Sequence, residues 1–258
     1  KYLGQNHVKV AESLLSIGLL SQDLGQLDVS ERFLTKAVQT FESQLGPSHP
    51  QVADTLQALG VLYRATGKGA NAELFLKRSM EIRTRTLGAD HPDIAHSLFY
   101  LGQLYLDLRN DSAAEALLLR GLEIREKCLR PDHPAIAAIQ IIVARMYRSQ
   151  EKYNEAEPYF RRVLEHREKT YGNQHQETAI VIRELAELAQ LRGQRAQAES
   201  LHRQALEILE KRMGPTHPTL LPSLYLMINL YRSAGLSEEV KKYEGRVSDI
   251  EKSLSGGN

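Results

Sequence analysis

The chain has 258 residues, 42% of them hydrophobic and 25% charged, the composition of a folded protein rather than a disordered tail. Lys plus Arg total 33 against 32 for Asp plus Glu, and a net charge of +1 gives no general attraction for nucleic acid or an anionic membrane. No window approaches the ~18 uninterrupted apolar residues of a membrane span, and a single cysteine, Cys128, excludes an internal disulfide and any multi-cysteine zinc site.

Taken in chain order, the first segment is already part of a pattern. Lys1-Tyr2-Leu3-Gly4 aligns with Ser43-Gln44-Leu45-Gly46, so the chain is expected to begin in the last turn of a helix whose unit is otherwise missing. His7 then opens a series: His49, His91, His133, His175 and His217 follow at intervals of 42 residues. A fixed period of this size is the mark of a stacked repeat architecture. In the second unit Leu56, Leu59, Gly60, Leu62 and Tyr63 fall at spacings of three and four, which predicts a helix. Their counterparts are Leu98, Leu101, Gly102, Leu104 and Tyr105 in the third unit, and Leu224, Met227, Ile228, Leu230 and Tyr231 in the sixth. Turn signals follow near Gly25, Gly67, Gly193 and Gly235. A second helical stretch then carries Ala72, Phe75, Leu76 and Ser79, matched by Ala156, Tyr159, Phe160 and Val163.

The strings between units have a physical reading of their own. In Leu45-Gly46-Pro47-Ser48-His49-Pro50, Gly46 suits the left-handed end of one helix and Pro50 the first turn of the next. The last segment, Leu236 to Leu254, reads as a terminal helix with Val240, Tyr243, Val247 and Ile250 on one side and charged residues elsewhere, followed by a frayed tail from Ser255 to Asn258. The expected organisation is one continuous array over 1–258, with units at about 5–46, 47–88, 89–130, 131–172, 173–214 and 215–254.

The pattern Leu-x-x-Leu-Gly-x-Leu-Tyr followed by Ala-x-x-x-Phe/Leu-x-x-Ala/Ser resembles the tetratricopeptide repeat, in a version of 42 rather than 34 residues. With the Gly-x-x-His-Pro linkers and Ala156-Glu157-Pro158-Tyr159-Phe160, it is similar to the repeats of kinesin light chains and nephrocystin-3-like proteins. The resemblance covers residue 4 to about 252. It implies an all-α, right-handed superhelical solenoid of six tandem helix–turn–helix units. It also implies a cytoplasmic protein–protein interaction scaffold, a reducing location with which the lone cysteine is consistent.

Chemistry-bearing residues do not form a catalytic constellation. The six periodic histidines belong to different stacked units about 10 Å apart, too far to share one metal ion, and are expected to cap or pack at the start of their helices. Cys128 falls on an apolar rhythm and is expected to be a small core thiol. Neither an enzymatic activity nor a cofactor is expected, because no phosphate-binding glycine loop, nucleophile elbow or His-Glu-x-x-His string is present.

The candidate site is a second stripe on the first helices, rotated by roughly 120° from the packing stripe. By resemblance it lines the inner concave surface. It carries Gln57, Arg64, Phe99, Gln103, Leu106, Ile141, Arg145, Arg148, Arg183, Tyr225, Asn229 and Arg232. Arg145, Arg148 and Arg183 beside Phe99, Leu106 and Ile141 suit a protein or peptide partner with acidic residues and an aromatic or aliphatic anchor. A second reading stays open: Arg64, Arg148 and Arg232 lie near helix C-termini, where cations are favoured locally, and Glu12, Asp54 and Glu187 share the stripe. The paired Asn residues of kinesin light chains are replaced by Leu15-Ser16, Gln57-Ala58, Phe99-Tyr100, Ile141-Ile142, Arg183-Glu184 and Tyr225-Leu226, so that backbone clamp does not carry over. A structural or sensor arm packed on its own upstream domains is the alternative to an adaptor.

Overall fold

The computed structural model describes residues 7–255, so the expectations for the first residues and for the tail beyond Ser255 lie outside them. Among the described residues there are twelve α-helices and no strand. They are α1 (Val8–Asp23), α2 (Leu27–Leu45), α3 (Pro50–Ala65), α4 (Gly69–Leu87), α5 (Pro92–Asp107), α6 (Asp111–Cys128), α7 (Pro134–Ser149), α8 (Tyr153–Tyr171), α9 (Gln176–Leu191), α10 (Arg195–Met213), α11 (Leu221–Ser233) and α12 (Ser237–Ser255). The chain divides into two compact units, Lys1–Ile139 and Gln140–Asn258.

In the first unit α1 packs on α2, α3 on α4 and α5 on α6, each pair joined by a turn so short that the helices must run antiparallel. Second helices also pack on the next first helix, α2 on α3 and α4 on α5. The second unit repeats this with α9 on α10, α11 on α12 and α8 on α9. The apolar stripe read from the sequence is the core: Leu56, Leu59, Leu62, Tyr63, Ala72 and Leu76 are buried in the first unit, Ile182, Leu209, Leu224, Tyr231 and Ile250 in the second.

Glycine sets how closely each pair approaches. A Cβ on Gly60 would meet the Leu76 side chain at 2.6 Å, and Gly18 and Gly102 stand in the same relation to Leu34 and Leu118. The three leucines are fully buried. Removing the side chain from one helix makes room for the leucine of its partner, and dispersion contacts fill the gap.

The six histidines are N-caps. Nδ1 of His7, His49, His91, His133, His175 and His217 accepts from the amide two residues on, at 3.1–3.3 Å. This satisfies one of the amides that a helix start leaves unpaired. Among the described residues no group of three or more His, Cys, Asp or Glu could hold a metal ion.

Two helices depart from the common length, each for a local reason. The second helices α2, α4, α8 and α10 end on Gly46, Gly88, Gly172 and Gly214, all near φ +90° with ψ close to 160°. Only glycine occupies that region at low cost. The counterpart in the third repeat is Arg130, and α6 ends one residue earlier, at Cys128, with Leu129 extended. In the sixth repeat Pro222 lacks the amide that would bond Pro218, so residues Pro218–Leu220 form a 3₁₀ turn before α11.

Cys128 is a correction. It is exposed, not a core thiol. The apolar rhythm places it correctly around the helix, but it stands at the very end of α6, beyond any covering neighbour. Its counterparts Gln44, Thr86, Thr170 and Arg212 are exposed as well.

Tyrosine and glutamate tie three of the second helices, α2, α4 and α10, to the next first helix. Tyr63 donates to Glu31 (2.9 Å), Tyr105 to Glu73 (2.8 Å) and Tyr231 to Glu199 (3.0 Å). Burial and the Glu31 carboxylate push the Tyr63 hydroxyl up to about 12, and burial and Glu199 do the same for Tyr231. The hydroxyl of Tyr63 and the Lys68 ammonium in turn hold the Glu31 carboxyl below its ordinary range.

Candidate functional site

In the first unit the second stripe of α1, α3 and α5 borders a cleft of about 620 Å³. Leu15, Leu19, Ala58, Val61 and Tyr100 give it an apolar wall, and Asp23, Asp54 and Asp93 stand around it. Leu19 is 43% exposed and borders the recess. Gln57 lies in this cleft, but its Oε1 accepts a short hydrogen bond from Arg83 of α4. Arg83 is buried and also donates to Asp54 (2.6 Å) and to Ser97 Oγ (2.8 Å), which compensates the loss of water around its guanidinium.

The remaining first-unit candidates are held by neighbours. Arg64 donates to Asp107 (2.6 Å) and Gln103 (2.5 Å), linking α3 to α5. Phe99 is half-buried under the Arg125 guanidinium, 5.4 Å from ring centre to carbon, with the Tyr100 ring edge-on against it. Leu106 is half-buried. Arg125 is itself buried and donates to the Ala135 carbonyl (2.6 Å), and burial lowers its pKa.

In the second unit Arg145 and Arg148 converge, but on a carboxylate rather than on open solvent. Glu184 of α9, only 4% exposed, accepts from Arg145 (2.9 Å through Nε) and from Arg148 (2.8 Å). Arg148 also meets Glu187 at 2.9 Å and lies 5.7 Å from the Phe160 ring centre. Burial outweighs Arg148 at Glu187 and leaves that carboxyl above the ordinary carboxylate range. Arg183, half-buried one residue before Glu184, makes no ion pair among the described residues and keeps its charge uncompensated by a direct partner. Ile141 is half-buried. Tyr225 is 46% exposed and donates to Glu251 (3.2 Å), Arg232 donates to Glu244 of α12 (2.8 Å), and Asn229 is exposed.

Sequence reasoning missed the second-helix arginines. Arg83, Arg125 and Arg167 recur at 42 residues, a signal as regular as the histidines, and Arg83 and Arg125 reach the first helices from behind. It also passed over Glu184 as the acceptor of two stripe arginines, although the pairs sit 39 and 36 residues apart, one repeat less about one and nearly two helical turns.

No helix among the described residues is long and apolar enough to cross a membrane. The tetratricopeptide repeat family matches residues 9–84, 62–127 and 135–211. Comparison with curated proteins gave no match. Among solved structures, the nearly identical repeats of a Podosopora anserina putative kinesin light chain are 27% identical, with a TM-score of 0.70 over 80% of this chain and 98% of that one. BtubC (BKLC) from P. vanneervenii is 19% identical, with a TM-score of 0.72 over 93% of each chain. A Rap protein complexed with competence and sporulation factor is 14% identical, with a TM-score of 0.61 over 95% of this chain and 76% of that one. The fold is an all-α tandem-repeat solenoid with kinesin light chain-like repeats, and the chain belongs to the tetratricopeptide repeat family.

Proposed function

We propose that the chain is a non-catalytic cytoplasmic adaptor that holds a peptide or helix of a partner protein against its first helices, on the face that is concave in the repeats it resembles. The cleft of about 620 Å³ in the first unit carries this reading, because it is roomy enough for side chains and combines exposed leucine with charged groups. An aliphatic or aromatic anchor of the partner enters between Leu15, Leu19 and Val61, with Gln57 at its side. In the second unit Arg183 and the partly exposed Arg145 meet acidic residues, while Arg148, held by two carboxylates, positions Glu184 rather than the partner. Arg64, Gln103, Phe99, Leu106, Ile141, Tyr225, Asn229 and Arg232 complete the proposed surfaces. The Rap protein's complex with competence and sporulation factor supports the same use of this kind of fold.

The test is fluorescence anisotropy of two peptides, one carrying a large apolar anchor for the first-unit cleft and one acidic for the second-unit arginines, titrated against the parent chain, Leu19→Glu and Arg183→Glu at low and moderate salt. Saturable binding of both to the parent, with the apolar peptide lost in Leu19→Glu and the acidic one weakened with a shallower salt slope in Arg183→Glu, is the expected result. Equal binding by all three proteins, or none, overturns it.

A further inference from the structure

Four of the six repeats place a tyrosine at one position of the first helix: Tyr63, Tyr105, Tyr147 and Tyr231. In the fifth repeat that position is Ala189. The partner position on the second helix carries a ring in three of the same repeats, and the rings pack as Tyr63–Phe75 (5.4 Å between centres), Tyr147–Tyr159 (6.0 Å) and Tyr231–Tyr243 (5.5 Å). In the fifth repeat it is Leu201. Both rings are therefore absent from one place in the second unit, and a recess of about 80 Å³ opens there between α8, α9 and α10.

The other fittings of the tyrosine are still present around the recess. Glu157 of α8 lines it and is the counterpart of Glu31, Glu73 and Glu199, which accept the hydroxyls of Tyr63, Tyr105 and Tyr231. Arg161 corresponds to Lys77, whose ammonium lies 5.9 Å from the Tyr105 ring centre. Leu164, Leu188 and Leu201 supply apolar walls. Arg192, which lines the recess, donates to Glu157 and to the Tyr153 carbonyl, so a cation borders the space as well. Burial pushes the Glu157 carboxyl up, but hydrogen bonds from Arg192 and Arg161 outweigh it and keep the group ionised, able to accept a further donor.

We infer that this recess is a socket for a phenolic ring, the tyrosine side chain of another protein, seated where the chain's own tyrosine stands in its sister repeats. The ring lies against Leu188 and Leu201, and its hydroxyl donates to Glu157. A closed apolar cavity of about 150 Å³ takes a whole benzene ring. This smaller recess, with exposed Gln194 and Gln197 at its mouth, leaves one edge of the ring toward solvent. The socket is separate from the first-helix faces proposed above and stands or falls independently of them.

The experiment is a methyl-detected NMR titration of the full chain with p-cresol, toluene and N-acetyl-tyrosinamide. Saturable shifts confined to the methyls of Leu164, Leu185, Leu188 and Leu201 are expected for p-cresol and for the tyrosine derivative, with toluene about fivefold weaker because it lacks the hydroxyl. Ala189→Tyr fills the socket from within and is expected to abolish the shifts while raising Tm. Ala189→Leu, a smaller filling, serves if the tyrosine variant does not fold. No saturable shift in the parent, undiminished binding in the filled variant, or toluene as tight as p-cresol each overturns the proposal. Binding of p-cresol without N-acetyl-tyrosinamide overturns a protein's tyrosine as the occupant.

Discussion

The second repeat, α3 with α4, and the fifth, α9 with α10, have helices of the same 16 and 19 residues, open with a histidine cap and close on glycine, yet they are filled by different means. In the second repeat Gly60 receives Leu76, Tyr63 stacks on Phe75, and Arg83 is fully engaged. In the fifth, Ala186 stands where glycine was, His202 where Leu76 was, and Ala189 and Leu201 replace the two rings. His202 is fully buried, and neither ring nitrogen has a hydrogen-bond partner. The difference teaches that helix length and capping set the frame, while the interior can be well filled in one repeat and left with a polar group and a recess in another.

The largest effect expected from breaking this comparison is at Leu76. Leu76→Ala should cost about 2–5 kcal/mol, because Gly60 cannot move in to fill the void, whereas His202→Ala should cost far less. Urea unfolding of both variants checks the contrast, and equal losses would end it.

His202→Leu, which restores the residue of the first three repeats, should stabilise. Burial, with Arg183 adding to it, lowers the His202 pKa to about 4. The unfolded chain takes up its proton near pH 6.5, so stability is fully present above that value and falls between about 6.5 and 4, by a total of about 3 kcal/mol. The leucine variant should lose this part of the acid sensitivity in urea unfolding followed from pH 7 to pH 4.

A smaller change concerns the turn inside each pair. Gly67 and Gly193 have φ +71° and +73°, but Arg109 and Glu151 occupy the same left-handed position at +58° and +60°. Arg109→Gly and Glu151→Gly should each gain up to about 1 kcal/mol, while Gly67→Ala and Gly193→Ala lose a similar amount, as thermal unfolding of the four variants would show. The smallest effect expected is from the caps: His49→Ala and His175→Ala should each cost about 0.5–1 kcal/mol, visible as faster amide exchange at Gln51 and Glu177.

The fold was legible because stacking forces the same positions to be apolar in every unit, and His49 or Leu59 announces its role by recurrence. The candidate surface was less legible because the groups that hold its side chains lie in other helices. A helical wheel shows that Arg145 and Arg148 share a side of α7, but not that Glu184 reaches both from α9. Nor does it show Arg83 arriving from behind Gln57. Cys128 failed for a related reason, since periodicity gives an angle around the helix and not whether a neighbour extends that far. The recess at Ala189 was visible in principle as an interruption of the tyrosine series, a departure from the pattern rather than an instance of it.

The invariant interval has a consequence for how such a chain can change length. Lys68 and Asn110 are counterparts, so excising residues 69–110 joins Lys68 to Asp111, a junction of the kind already present at Asn110. Any cut of 42 residues within the array behaves in this way, whereas a cut of another size sets capping residues against packing ones. Unequal recombination can therefore add or delete whole units as a copy number, and the molecule's reach varies in discrete steps without a new loop being invented.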